Sequence, residues 1–277
     1  MAKNNTDEFV GIRNGWAVCY KKAIGKGGLL FPERLSASFL DNARKTMGSY
    51  LFANQYQNEV IPLDEQAFNP EWFRYWESLP KSCHRFAFVD PAIGQKDHHD
   101  FTGIVIICAD SDGIWHVEIA NRYRLTPTQL VNKLFDLHAH LGLKAIGVES
   151  VAYQEALLYL LAEEMRKRQA TLPVIGIKRD RTSKQTRILG LVPRFEWGRI
   201  YLANGMTALE DELTTFPRGS HDDLLDALAS LEEIVFYPEK KEPTLERPNS
   251  PTDPRYESWY IQQLGKGRIP EARTDDS

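Results

Sequence analysis

Six acidic side chains stand at the edges of apolar segments, where a carboxylate is costly to bury without a partner. Clustered carboxylates repel one another unless a cation lies among them, and hard oxygen ligands suit Mg²⁺ or Mn²⁺. Two such ions about 4 Å apart can activate a water and stabilise the leaving oxygen of a phosphodiester. The acids predicted to gather are Asp90, Asp100, Glu149, Asp222, Asp223 and Asp226.

The elements that must position these acids follow a regular order from residue 85 onward. Three strands joined by a hairpin turn are followed by alternating helices and strands. This order predicts a three-layer α/β fold of the ribonuclease H-like type, with a central mixed sheet of five or more strands flanked by helices. Strands are predicted at 85–92, 102–109, 114–124, 143–149, 172–178 and 199–202, and helices at 126–142, 151–169, 183–191, 206–216 and 220–236.

In this fold the acids should converge at one edge of the sheet. Asp90 ends the first strand and Glu149 ends the fourth, which should run parallel to the first and beside it, so that both reach the same edge. Asp226 is four residues after Asp222 and three after Asp223, so the three share one face at a helix start. Whether Asp222 or Asp223 is the direct ligand depends on a helix start that sequence fixes only to about two residues.

Each acid also has an ordinary structural interpretation, so none of them alone indicates a metal site. An acid near a helix start is favoured by the helix dipole, and an acid beside proline often caps a turn. The ordinary interpretations are a turn cap for Asp90, a loop acid for Asp100, a first-turn acid for Glu149, helix-start acids for Asp222 and Asp223, and a ligand, a substrate contact or a helix-start residue for His221.

Charge is unevenly distributed along the 277 residues. The chain has 34 basic and 38 acidic residues, a formal net charge of −4, which does not indicate a nucleic-acid binder. Between residues 166 and 199, however, ten basic residues stand against two acidic ones. This local excess predicts a positive surface on an otherwise acidic chain.

The cysteines, the apolar runs and the N-terminus indicate which cellular compartment is expected for the protein. Cys19, Cys83 and Cys108 are far apart and form no C-x-x-C pair, so neither a zinc ribbon nor a disulfide framework is expected, and Cys108 is predicted to be a core residue. No apolar run approaches the roughly 18 residues of a membrane span. The N-terminus lacks the apolar core of a signal peptide, and a cytosolic location is expected.

Three parts of the chain differ in composition. Residues 1–60 do not form a self-contained domain, and the glycines at 25–28 lack the G-x-x-x-x-G-K-[ST] spacing of a phosphate loop. A helix is predicted at 36–47, stopped by Gly48. Residues 61–237 hold the α/β fold. Residues 238–277 are rich in proline and charge and are predicted to be a disordered tail.

Several segments resemble the nuclease domain of tailed-phage large terminase subunits, the motor proteins of DNA packaging. The resemblance covers roughly residues 15–237, and two upstream segments, 30–35 (LFPERL) and 52–57 (FANQYQ), resemble the family's connection between ATPase and nuclease. The segments that carry it are 88–92 (FVDPA), 100–105 (DFTGIV), 147–150 (GVES), Lys184-x-x-Arg187 with 197–200 (WGRI), and 220–228 (SHDDLLDAL).

The resemblance implies roles for individual residues. Asp90, Glu149, Asp222 and Asp223 would be the catalytic ligands of two Mg²⁺ or Mn²⁺ ions, with Asp100 as a further ligand. Asp226 and His221 would be accessory. The residues expected to contact DNA are Lys184 and Arg187, with Arg179 and Arg181 beside them in the basic run.

The resemblance also implies a setting. The reaction would be endonucleolytic cleavage of double-stranded viral DNA at the start and end of packaging, in the cytoplasm of the infected host bacterium. A small terminase subunit, a portal protein and an ATPase domain or chain would be partners. One departure is that this chain has no P-loop ATPase signature. Residues 1–60 would be a linker or a remnant of an upstream ATPase domain, so we expect a separated nuclease domain, a fragment or a split gene product.

Two other functions are compatible with the same residues. Another ribonuclease H-like nuclease, such as a junction resolvase, would share the acids but prefer branched DNA. A non-catalytic module that binds DNA or the portal would carry the acids only as structural groups and would bind no metal.

Overall fold

The apolar run that ends at Asp90 forms an inner strand of a seven-stranded mixed sheet in the computed structural model. The structure describes residues 9–13, 15–59, 67–91, 101–149, 152–178, 183–240 and 253–265. In chain order the strands are β1 (Phe9–Arg13), β2 (Trp16–Tyr20), β3 (Ile24–Gly25), β4 (Gly28–Leu29), β5 (Arg74–Tyr75), β6 (Cys83–Asp90), β7 (Thr102–Asp110), β8 (Trp115–Tyr123), β9 (Ala145–Glu149), β10 (Val174–Ile177) and β11 (Ile200–Leu202).

The sheet has the strand order β10-β9-β6-β7-β8-β11-β5. Strands β6, β7 and β8 form an antiparallel meander, while β9 lies beside β6 and parallel to it. The predicted ribonuclease H-like order is therefore confirmed, with seven strands in the sheet. Strand β6 ends at Asp90 rather than at residue 92, because Pro91 has no backbone N–H to continue the ladder.

Five of the described helices, α2, α3, α4, α6 and α7, lie in intervals where the sequence predicts a helix, whereas α5 and α8 were not predicted and α1 is longer than predicted. Helix α2 begins with a capping box at Thr126 and ends at Gly142 in the left-handed conformation, as expected from these residue types. The helices are α1 (Ala37–Tyr56), α2 (Pro127–Leu141), α3 (Ala152–Arg168), α4 (Lys184–Leu189), α5 (Val192–Glu196), α6 (Thr207–Thr215), α7 (Asp223–Ser230) and α8 (Tyr256–Gly265).

Both faces of the central strands are buried, which explains why residues 86–89 of β6 and 104–109 of β7 are all apolar. Phe86 and Phe88 belong to the core shared with α7, whereas Ala87 and Val89 belong to the core shared with α2 and α3. This split follows from the alternation of side chains along a strand. The strand is thus held from both sides and fixes the position of the residue at its end.

Helix α1 continues past the point where it was predicted to stop. Gly48 breaks it with φ of 77°, but the helical residues resume after it and run to Tyr56. The backbone N–H of Ser49 donates to the Glu196 carboxylate at 2.8 Å, which satisfies an amide that the break leaves without a helical partner. A Cβ on Gly48 would lie 3.1 Å from Pro193, so glycine also permits α1 to approach α5.

The cysteines depart from the prediction. Cys83 and Cys108 form a disulfide, with their Cα atoms 5.6 Å apart. The expectation that the cysteines form no disulfide framework was wrong for this pair because it rested on their separation in sequence, whereas the antiparallel pairing of β6 with β7 brings these positions together. Cys108 is fully buried, as predicted. The remaining cysteine, Cys19, is exposed.

Contacts divide the chain into two units, Met1–Pro238 and Glu239–Ser277. The second unit contains α8, where the sequence predicts a disordered tail, and the ring of Tyr256 lies near those of Trp259 and Tyr260. Within the described ranges, no helix is long and apolar enough to cross a bilayer. The predicted domain boundaries stay predictions.

Candidate metal-binding site

Two of the predicted acids emerge side by side from neighbouring parallel strands. Asp90 is the last residue of β6 and Glu149 is the last residue of β9. The residues before them, Val89 and Val148, are paired across the two strands. Because the strands are parallel and in register, both carboxylates reach the same edge of the sheet, as predicted.

Helix α7 brings a third carboxylate to this edge. Leu224, Leu225 and Leu228 bury the apolar face of the helix against the core. Gly103, which pairs with Asp90 across β6 and β7, lets the helix approach: a Cβ there would lie 3.3 Å from the backbone oxygen of Asp223. This close approach brings the buried carboxylate of Asp226, only 4% exposed, toward the sheet.

The three carboxylates form a group of possible metal ligands. One oxygen each of Asp90, Glu149 and Asp226 lies within 4.8 Å of the other two. The three residues come from two strand ends and one helix, so the fold fixes their separation. Such a set of hard oxygen donors fits Mg²⁺ or Mn²⁺.

Helix α4 supplies cations to the same group. Arg187 donates two bonds from Nη2 to Asp226, at 2.8 Å to Oδ1 and 3.1 Å to Oδ2, and its side chain is only 16% exposed. The Nζ of Lys184 lies 2.7 Å from Asp222 and 3.8 Å from Asp226. Both residues, predicted to contact DNA, thus contact the acids here.

The positive charge near Asp90 does not offset its burial and the negative charges around it. Burial, followed by the negative charges of Glu149 and Asp226, raises the pKa of Asp90 from its ordinary 3.8 to about 7, although Lys184 acts in the opposite direction. Asp90 is therefore partly protonated near neutral pH, where an ordinary aspartate is fully ionised. A divalent cation at this position would relieve the repulsion that raises the pKa.

The comparisons with known proteins agree with this geometry. The family model of the terminase RNaseH-like domain matches residues 87–231, which include all three acids of the group. The chain belongs to this family. The predicted resemblance to large terminase nuclease domains is therefore confirmed, and a search of the curated proteins gave no significant match.

Solved structures similar to this terminase domain include two large terminases, both from thermophilic phages. One is a large terminase that is 11% identical with a TM-score of 0.55, and the match covers 73% of this chain and 53% of that protein. The chain thus spans about half the length of that terminase. The other is the large terminase nuclease of phage G20c with bound magnesium, which is 17% identical with a TM-score of 0.45, and the match covers 64% of this chain and 100% of that one.

Two other predicted ligands of the terminase domain lie at the rim of the group. Asp222 precedes α7 with its side chain 41% exposed, and Asp223 opens the helix. Neither belongs to the group formed by Asp90, Glu149 and Asp226. Asp226, predicted as accessory, occupies the place expected for Asp222 or Asp223, because α7 begins at Asp223 and turns Asp226 toward the sheet.

The remaining predicted residues fall into two sets. His221 lies beside the site, with Nδ1 4.0 Å from Asp223 and its ring edge-on to Phe101 at 6.3 Å between centroids. The same Phe101 ring supports the exposed Arg124, whose guanidinium carbon is 4.6 Å from the ring centre. Asp100, Arg179 and Arg181 lie outside the described residues.

Glu212 is a buried acid that the sequence interpretation missed. Its carboxylate accepts bonds from Arg122 and from the backbone N–H groups of Leu224 and Leu225. Burial raises its pKa, while Arg122 and the two amides lower it less. The sequence could have indicated a buried acid here, because Glu212 lies among the apolar positions 209, 213 and 216, which are buried in and just after α6.

Proposed function

We propose that this terminase domain is a metal-dependent endonuclease that cleaves double-stranded viral DNA during genome packaging. The observation that carries the proposal is the convergence of Asp90, Glu149 and Asp226 at one sheet edge. Membership of the terminase RNaseH-like family supports a nuclease acting on nucleic acid.

The cofactor proposed is Mg²⁺ or Mn²⁺, with two ions during catalysis. When bound, the metal supplies an activated water and stabilises the leaving oxygen of the phosphodiester. Asp90, Glu149 and Asp226 would hold it, and Asp222 and Asp223 would extend the ligand set at the rim. This division follows exposure, since Asp226 is buried whereas Asp222 faces solvent.

The residues of the site have separate tasks in this proposal. Arg187 orients Asp226 through its paired bonds to both carboxylate oxygens. Asp90 must release a proton before it can act as a ligand, because its pKa is near neutrality. Lys184 offsets part of the negative charge at the rim.

The proposed substrate surface is the rim that carries Arg124. The ring of Phe101 supports its guanidinium at 4.6 Å, and no carboxylate of the described residues forms an ion pair with it. Arg124 follows β8, whose end lies at the same sheet edge as Asp90. The side chain is therefore positioned to contact a DNA phosphate near the acids.

Replacing Arg124 with alanine is expected to weaken DNA binding similarly for all sequences and to reduce the slope of log K against log salt concentration by about one. Fluorescence anisotropy in Ca²⁺ at several salt concentrations measures both effects. Lys144, exposed at the opposite end of the sheet, provides the control variant Lys144→Ala, which should change neither. An unaltered slope for Arg124→Ala would remove this residue from the surface.

A plasmid assay tests the nuclease activity. With Mn²⁺ or Mg²⁺ the protein should nick and linearise supercoiled plasmid, and EDTA should prevent this. Asp226→Asn should lower the rate by at least about a hundredfold, the upper end of the range for residues that only orient ligands. Asp136→Asn, at an exposed position of α2, should cut normally.

The assay also separates the competing functions. Equal cutting by Asp226→Asn would refute the site, and absence of cutting and of metal binding would favour a non-catalytic module. Faster cutting of a four-way junction than of linear duplex would indicate a resolvase. The small terminase subunit, the portal protein, an ATPase domain or chain and the host cytoplasm remain the proposed partners and location.

A further inference from the structure

Helix α7, which carries the acids of the site, is capped by a residue from another helix. Glu212 of α6 accepts the Leu224 N–H at 3.3 Å through Oε1 and the Leu225 N–H at 2.8 Å through Oε2. These amides belong to the first turn of α7, where backbone N–H groups have no partner within the helix. The side chain of Glu212 is 1% exposed, so these bonds lie in a region from which water is excluded.

The residue that would ordinarily cap this helix does not do so. Asp222 occupies the position before α7, where an aspartate usually accepts an N–H from the second or third helical residue. Its side chain makes no such bond and lies 2.7 Å from Nζ of Lys184. Because Glu212 accepts the amides of Leu224 and Leu225, the Asp222 carboxylate is left at the rim of the acidic group.

Arg122 fixes Glu212 in turn. Its Nε donates to Glu212 at 3.1 Å, and its Nη2 forms a second bond to the same oxygen. Arg122 is paired with Gly103 in the sheet, and Gly103 is paired with Asp90. One connected set of contacts thus links the strand that ends at Asp90 to the start of the helix that carries Asp226.

We propose that Glu212 is a positioning residue for the metal site: by capping α7 from α6 it sets the position of Asp226 and leaves Asp222 free of capping. This inference rests on the proposed function, because it assumes that the acids bind metal. Glu212 itself contacts neither metal nor substrate. Its loss should therefore change metal affinity without removing any ligand.

The test is Glu212→Gln, which keeps the size of the side chain but replaces one acceptor with an amide nitrogen. Calorimetry should show that Glu212→Gln binds Mn²⁺ at least about tenfold more weakly than the unaltered protein, which is within the range for residues that orient metal ligands. Hydrogen exchange should show faster exchange at the amides of Leu224 and Leu225. In this variant the Asp222 carboxylate can accept one of these amides instead, and it should then lose its contact with Lys184.

The matched control is Glu118→Gln, which breaks a second ion pair on the same sheet. Glu118 lies 2.6 Å from Nε of Arg85, and its side chain is 10% exposed. Arg85 is five residues before Asp90, so this pair is remote from the acids. Glu118→Gln should lower the melting temperature but leave both Mn²⁺ affinity and the exchange of the α7 amides unchanged.

The outcomes distinguish the inference from the function on which it rests. If the unaltered protein binds no Mn²⁺, the proposed function fails and the positioning role fails with it. If the unaltered protein and Glu212→Gln bind Mn²⁺ equally, the positioning role alone is refuted. Should Glu212→Gln not fold, Arg122→Lys retains the Glu212 carboxylate on a weaker partner, and it must weaken Mn²⁺ binding severalfold for the inference to stand.

Discussion

Replacing Asp90 with asparagine should stabilise the metal-free protein and at the same time abolish its stabilisation by Mn²⁺. Asn has nearly the same shape but no charge, so it removes the repulsion from Glu149 and Asp226 that accompanies burial of Asp90. The metal loses one of its proposed ligands. A gain in stability joined to a loss of metal response distinguishes a site built for a cation from an ordinary structural acid.

The size and pH dependence follow from the pKa of Asp90, which rises from 3.8 to about 7 on folding. Below pH 3.8 Asp90 is protonated in both the folded and the unfolded state, so its raised pKa does not change the free energy of unfolding. As pH rises from 4 through 7 the unfolded chain releases the proton first, so stability declines and reaches its minimum above pH 7. The shift corresponds to roughly 4 kcal/mol at pH 8 and to less than about 2 kcal/mol at pH 5.

Thermal unfolding in EDTA at pH 8 and pH 5 measures this effect. Asp90→Asn should melt at a higher temperature than the unaltered protein at pH 8, and the difference should shrink at pH 5. Asp136→Asn should show neither change. A lower melting temperature for Asp90→Asn at pH 8 would mean that Asp90 is stabilised by its neighbours and that the acids form no strained cluster.

Replacing Arg187 with methionine should destabilise the protein by roughly 3 kcal/mol, because it leaves the buried carboxylate of Asp226 without its bidentate partner. Added Mn²⁺ should restore part of the loss, since the metal replaces the missing positive charge. The thermal shift with Mn²⁺ should therefore be larger in Arg187→Met than in the unaltered protein.

The double variant Arg187→Met with Asp226→Leu separates charge from packing. Replacing a buried ion pair by apolar residues of similar size is often neutral or stabilising, so the double variant should regain most of the stability and show no Mn²⁺ shift. DNA affinity decides the alternative role predicted from sequence. If Arg187→Met is fully stable but binds DNA weakly, Arg187 is a phosphate contact and its bond to Asp226 is incidental.

The convergence of Asp90 with Glu149 could be predicted because it depends on regular features. Strand periodicity, the order of elements and the parallel pairing of two strands all follow from the apolar pattern. The disulfide of Cys83 with Cys108 was missed because it depends on a diagonal contact between strands, which distance along the chain does not reveal.

The sequence could not show which of the three acids near the start of α7 points to the sheet, and the reason is physical. Asp222, Asp223 and Asp226 share a face, and a shift of one residue in the helix start decides which of them points to the sheet. That start is capped by Glu212, through contacts between residues twelve and thirteen apart. The assignment of Arg187 to DNA, which the family resemblance implied, stays a prediction, and neither that resemblance nor local charge showed its contact with the buried Asp226.

A divalent ion held by Asp90, Glu149 and Asp226 is the feature on which the proposed nuclease depends. A crystal soaked in Mn²⁺ at pH 8 and measured for anomalous scattering would locate that ion. We expect a peak between these three carboxylates, and its loss in Asp226→Asn. A peak bound only by Asp222 and Asp223, or no peak at this edge of the sheet, would contradict the assignment.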